Sequence, residues 1–147
     1  LHYPLRRQRQ MCIRDREIIE EFELFDNWVD KYEYLIDLGK SLPKIEEHEK
    51  TNENIISGCQ SQVWLNAKKQ NNEVHFFADS DAIMTKGIIA ILIRVLSHQE
   101  PKEIINANLD FINTIGLKEQ LSPTRANGLV SMIKKMKIYA LGFEKKL

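Results

Sequence analysis

One stretch limits the folds open to this chain more than any other. Ala82–Ser97 (AIMTKGIIAILIRVLS) is apolar almost all the way round a helical wheel. A helix without a polar face has to be covered on every side, so the remaining chain must supply the layers that bury it. Its longest unbroken apolar run is Ile88–Ile93, and Lys86 and Arg94 interrupt the wider window, which is too short and too charged to cross a bilayer. Gly87 costs about 1 kcal/mol there relative to Ala, and close backbone packing against a sheet would explain its presence.

The other segments read as covering layers. Glu17–Phe25 carries Ile18, Phe22 and Phe25 on one helical stripe. Asp26 or Asn27 can cap the next helix, where Trp28, Tyr32, Leu35 and Ile36 fall at helical spacing before Gly39 and Pro43. Lys44–Asn54 is polar and aperiodic, a surface loop. In Ser61–Ala67, Val63, Leu65 and Ala67 alternate with Gln62, Trp64 and Asn66, the strand period. Asn71-Asn72 supplies turn residues before a second β-rich run, Val74–Ala78, so the two form an antiparallel hairpin; Ile55-Ile56 can add a third strand. Asp79-Ser80-Asp81 opens the apolar helix with acids that suit its first turn. Short helical segments follow at Pro101–Asn106, Leu109–Ile115 and Leu117–Leu121. Ser122-Pro123 then marks the start of a last helix, with Leu129, Ile133, Met136 and Ala140 on one face. The pattern is an α+β domain, with helices packed around a small antiparallel sheet.

At 147 residues, 43% hydrophobic and 29% charged, the chain has room for one such domain and not two. The zero net charge hides an asymmetry: residues 1–16 hold five Arg against one acid, and the rest holds sixteen basic against twenty acidic residues. Residues 1–16 read as a disordered or artefactual basic leader, and residues 17–147 as the domain. The domain is mildly acidic, which disfavours nucleic acid as a partner. Two Cys make no disulfide framework, so a reducing, cytoplasmic setting is expected. One of them, Cys12, lies in the leader and receives no role.

The remaining thiol carries the chemistry. Cys59 stands in Ser57-Gly58-Cys59-Gln60-Ser61-Gln62-Val63-Trp64-Leu65, between the polar loop and the first strand. Gly58 permits a tight turn, and Gln60 reads first as part of the solvent face of a strand, with a hydrogen bond to the loop backbone or to a persulfide as the sharper alternative. A thiolate at such a tip can enter another protein's active site and exchange with a persulfide. A free Cys is equally often a buried structural residue, and spacing alone leaves these two readings level.

This segment resembles the signature of the SufE family of sulfur acceptors in iron–sulfur cluster assembly. Ser122-Pro123-Thr124-Arg125-Ala126-Asn127-Gly128-Leu129 resembles a second family block, Asp79-Ser80-Asp81-Ala82 with Lys86-Gly87 a third, and Trp28–Gly39 with Leu42-Pro43 a fourth, all in the family's order across roughly residues 17–141. The resemblance implies helices around a three-stranded antiparallel sheet, as in SufE and IscU. It further implies that Cys59 takes persulfide sulfur from a SufS-type cysteine desulfurase, stimulates that enzyme, and passes sulfur to a SufB-containing scaffold complex. On this reading the chain is a carrier rather than an enzyme and holds no cofactor. A CsdE-type acceptor serving a CsdA-type desulfurase is the near alternative. Family position also places Arg125 and Asp81 near the Cys loop or at the partner surface. Arg125 in a helix's first turn would add to the positive end of the dipole and favour a thiolate nearby, whereas Asp81 reads first as a helix-start acid. The oligomeric state stays open, a homodimer included.

A cluster scaffold or structural zinc needs about four Cys or His ligands; the domain has Cys59 and scattered His48, His75 and His98. A Cys-dependent hydrolase pairing Cys59 with His48 or His75 is the rival from another class, and no residue pattern supplies it with an orienting third group.

Overall fold

A computed structural model describes the backbone of residues 2–57 and 61–145, and the side chains among these from Ile13 onward, Lys118 excepted. In chain order the elements are α1 (His2–Glu23), α2 (Trp28–Lys40), β1 (Val63–Gln70), β2 (Glu73–Ser80), α3 (Ile83–Leu96), α4 (Pro101–Ile105), α5 (Phe111–Thr114), α6 (Leu117–Gln120) and α7 (Pro123–Lys145). The α+β architecture expected from the sequence is the one observed.

Helix α3 is the centre. Ile88, Ile89, Ile91, Leu92, Val95 and Leu96 are all buried along it. Gly87 does serve a close approach, but against a helix rather than the sheet. A Cβ there would lie 2.7 Å from the carbonyl carbon of Leu35 and 2.8 Å from its Cγ, while one on Gly39 would lie 2.9 Å from the Gly87 nitrogen. Two glycines thus let α2 and α3 cross almost backbone to backbone. Asn27 caps α2, its side chain accepting the Asp30 N–H at 2.9 Å.

The strands pair antiparallel from Val63↔Ser80 to Gln70↔Glu73. Asn71 and Asn72 take φ of 52° and 66°, the left-handed pair that a two-residue hairpin turn demands. Val63, Leu65, Ala67, Val74, Phe76 and Ala78 point into the core. The third strand is reduced to a bridge, Ile55↔Trp64. Ile56 N–H donates to Val63 O and Leu65 N–H to Asn54 O, each at 2.8 Å, and the contact covers the free edge of β1. Residues 43–45 and 97–99 cover the outer edge of β2 in the same way.

Residues 2–16, expected as a disordered leader, are helical and continuous with α1. Arg14 accounts for part of this: its guanidinium donates to Val95 O at 3.2 Å and Ser97 O at 2.8 Å. Carbonyls at a helix C-terminus lack intrahelical donors and favour a cation. Further along α1, Ile18 and Phe22 are buried, and Glu21 takes Arg94 of α3 at 2.8 Å.

On α7, Leu129, Met132, Met136 and Ala140 are buried, and Ile133 lies at the margin of the core. Ser122 Oγ accepts the Arg125 N–H at 3.3 Å, and Pro123 is the first helical residue.

Candidate functional site

Gly58, Cys59 and Gln60 lie outside the described residues, so the site is built from what frames them. Both ends of the loop are tied. On the entry side Ile56 is buried and donates to Val63 O. On the exit side Gln62 is gripped by the turn ahead of α3. Its N–H donates to Asp81 Oδ1 at 3.1 Å, and its carbonyl accepts from Ser80 Oγ at 2.8 Å and from the Asp81 N–H at 3.3 Å. Ser61 Oγ meets Thr85 Oγ1 at 3.2 Å. Four residues, 57–60, are therefore left to span between two fixed points, Ile56 and Ser61.

Asp81 does not cap α3. Ala82 occupies the cap position without a side-chain cap, and Ser80 Oγ accepts the Ala82 N–H at 3.2 Å. The Asp81 carboxylate accepts the Gln62 N–H instead. Asp79 is not a cap either. It bonds Lys50 at 2.8 Å and faces Lys86 at 3.5 Å. Burial opposes its ionisation, but the hydrogen bonds from Lys50 and the Ser80 N–H, with the charge of Lys86, prevail and hold its carboxyl below the ordinary range.

Beside Ser61 opens a cavity of about 240 Å³, lined by Ala82 and Thr85 of the α3 entrance and by Thr124, Arg125 and Gly128 of the first turns of α7. Arg125 is exposed, and with the start of α7 it lines a cavity that Ser61 also lines. Blocks distant in sequence, at residues 61–62, 80–85 and 122–128, therefore converge where the chain enters β1.

Three contributors were not foreseen from the sequence. Thr85 is 6% exposed within the apolar helix, and a lone hydroxyl residue on such a helix was the available signal. Ser80 stands in the Asp-Ser-Asp turn but gave no sign that it holds Gln62. Tyr139 of α7 places its hydroxyl 2.7 Å from Asn54 Oδ1 and 2.9 Å from Leu65 O, fastening the segment that leads into the loop.

The imidazoles stand elsewhere. His75 lies opposite Lys68, well along the hairpin from the Val63 end, and His48 is exposed and faces Glu46 at 3.2 Å. Trp64 is half-buried, with Lys50 Nζ 5.2 Å from its ring centroid, and Trp28 is half-buried against the core.

Fold and site together define a small α+β domain in which a hairpin, a buried helix and the capped start of a long helix meet at Ser61 and Gln62, directly after the cysteine-bearing segment in sequence. Residues 16–140 match the family model SufE: Fe-S metabolism associated domain. Two uncharacterised SufE-like proteins are similar: one from Rhizobium meliloti at 41% identity (86% of this chain, 94% of that one) and one from Synechocystis at 37% (87% and 80%). SufE-like protein 1, chloroplastic/mitochondrial, from Arabidopsis thaliana is 40% identical over 89% of this chain and 36% of its own length. The solution structure of a hypothetical protein from Thermus thermophilus shares the fold, with a TM-score of 0.73 at 16% identity over 88% of this chain and 94% of that one. The chain belongs to the SufE family, and its role lies in iron–sulfur metabolism.

Proposed function

We propose that the protein is a sulfur carrier: Cys59 accepts the outer sulfur of a cysteine desulfurase persulfide and hands it on for iron–sulfur cluster assembly. The observation that carries this reading is the anchoring of both flanks of the Cys59 segment, at Ile56 and at Gln62, within the family signature. The step balances without an external oxidant. Cys59 thiolate attacks the outer sulfur, the sulfur–sulfur bond to the desulfurase cysteine breaks, and that cysteine leaves as a thiolate. One proton then completes Cys59–S–SH. A second exchange delivers the sulfur to a SufB-type scaffold. The partner is a SufS-type enzyme, and a CsdA-type one is the near alternative.

The arrangement supports division of labour. Asp81 and Ser80 fix where the chain enters β1, at Gln62, and only four residues of sequence, 57–60, separate Ile56 from Ser61. Arg125 and the α7 N-terminus lend positive potential to the adjoining cavity, which favours an anionic sulfur over a neutral thiol. The test is cysteine desulfurase turnover with and without the protein. Wild type should accelerate alanine release and Cys59→Ser should not. Acceleration that survives Cys59→Ser would overturn the reading. An unchanged Cys59 thiol pKa in Arg125→Ala would remove Arg125 from it.

A further inference from the structure

The end of the hairpin remote from the thiol loop carries a cluster that sulfur transfer does not use. We propose that Glu73, His75 and His98 form a binding site for a divalent transition ion of the Zn²⁺ class. Strand period places Glu73 and His75 on one face of β2. The chain leaving α3 then pairs antiparallel with this strand. The His98 N–H donates to Val74 O and the Val74 N–H to Gln99 O, each at 2.8 Å, which sets His98 beside both residues. His98 holds φ at 63°, a left-handed conformation uncommon outside glycine. Its ring meets that of His75 edge to face, with centroids 4.2 Å apart.

One ligand atom from each of the three side chains lies within 4.8 Å of the others. Tetrahedral ligands at Zn–N and Zn–O bond lengths stand about 3.4 Å apart. The cluster therefore closes by side-chain rotation, and its members have room to rotate: Glu73 and His75 are half-exposed and His98 is exposed. Two imidazoles and one carboxylate suit zinc or its neighbours rather than the oxygen-seeking Ca²⁺ or Mg²⁺, and water can fill the fourth position. Among the described residues, Arg14 and Lys68, the cross-strand partner of His75, are cations that oppose a metal; the Arg14 guanidinium donates to the Val95 and Ser97 carbonyls, and the Lys68 ammonium lies 3.4 Å from Glu49. The second His-carboxylate group, Glu46, His48 and Glu49, has one imidazole, and its Glu49 is engaged by Asn66 and Lys68. From the Glu73 rung to the Ser80 rung the strand runs about 23 Å at 3.3 Å per residue, so the ion would be remote from the sulfur loop. Its effect would be to staple the exit of α3 to the hairpin.

The experiment uses the full chain with Cys12→Ser and Cys59→Ser, which removes both thiols as competing ligands. Zn²⁺ is titrated against a chromogenic chelator, and Co²⁺ serves as a spectroscopic probe of nitrogen and oxygen ligation. One equivalent of tight binding should appear, together with a metal-dependent rise in Tm. His75→Ala and His98→Asn should each weaken binding at least tenfold, and His48→Ala should leave it unchanged. Asn tolerates the left-handed backbone at position 98, and equal Tm values without metal verify that each variant folds. Absence of stoichiometric binding, binding that survives both His75→Ala and His98→Asn, or equal loss in His48→Ala would overturn the proposal.

Discussion

Gly87→Ala should destabilise the fold, although Ala is the better helix former. The new Cβ would lie 2.7 Å from Leu35 C and 2.8 Å from Leu35 Cγ, and closer still to the Leu35 carbonyl oxygen. Ordinary contacts begin near 3.5 Å, and the backbone of α2 cannot swing aside as a side-chain tip could, so the two helices must part by at least about 0.8 Å. A gap of that size forfeits roughly a quarter to a half of each dispersion contact across it, and Leu35, Ile88 and Ile91 are buried around the crossing. Overpacking of this kind costs about 1–3 kcal/mol, with larger values on record. Contacts this short against backbone atoms put the cost at the upper end of that range; relief of the glycine penalty returns up to about 1 kcal/mol, and the net expectation is a loss of about 2 kcal/mol. For a chain of this size that lowers Tm by roughly 4–8 °C. Gly142→Ala is the matched control: the same chemical change near the end of α7 meets nothing within 4 Å, so it should stabilise by up to about 1 kcal/mol. Urea denaturation of both variants reads the difference as a shift in midpoint at constant slope. A Gly87→Ala protein as stable as wild type, beside a Gly142→Ala protein that behaves as expected, would refute the backbone-contact reasoning.

Other outcomes follow from buried polar groups. Burial pushes the Asp15 carboxyl from 3.8 up to about 6, and its Oδ1 is buried without a hydrogen-bond partner among the described residues. The folded state holds that proton more tightly than the unfolded one, so stability falls as pH rises from about 4 to 6. Asp15→Asn should therefore be more stable than wild type at pH 7.5, by about 1 kcal/mol after solvent screening, and equal to it at pH 3; thermal melts at both pH values check this. Asp79 titrates in the opposite sense. Its lowered pKa contributes stability above the ordinary value of 3.8 that is lost as pH falls through the folded value. Asp79→Asn should accordingly lose less stability than wild type between pH 7 and pH 3 in the same melts. Tyr139→Phe leaves Asn54 and Leu65 short of a donor and should cost about 1–2 kcal/mol in urea denaturation. Faster amide exchange at Asn54–Ile56 would locate that loss.

Elements with their own local signals were legible. Asn27 before α2, Ser122-Pro123 before α7, the alternation of Val63, Leu65 and Ala67, and the all-round apolar α3 each announced an element within a residue or three of its observed limits. Features fixed by distant partners were not. The third strand shrank to a bridge because Asn54–Ile56 exchanges just two hydrogen bonds with β1. The basic segment before Glu17 shows no apolar period, and Arg14 finds its acceptors some eighty residues away at the end of α3. Asp79 and Asp81 looked like helix caps because their spacing allows it. Their real partners, Lys50 and Gln62, come from other segments and leave no trace in local sequence. The site blocks were readable as a family pattern, while the convergence of Ser61, Thr85 and Arg125 on one cavity required the fold.

The central claim is that sulfur travels on Cys59. Mass spectrometry of the intact protein after incubation with a cysteine desulfurase and cysteine addresses it most directly, in wild type and in Cys59→Ser. The account predicts a gain of one or more sulfur atoms in wild type, reversed by reductant and absent from the variant. No gain with a demonstrably active desulfurase, or an equal gain in Cys59→Ser, would contradict it.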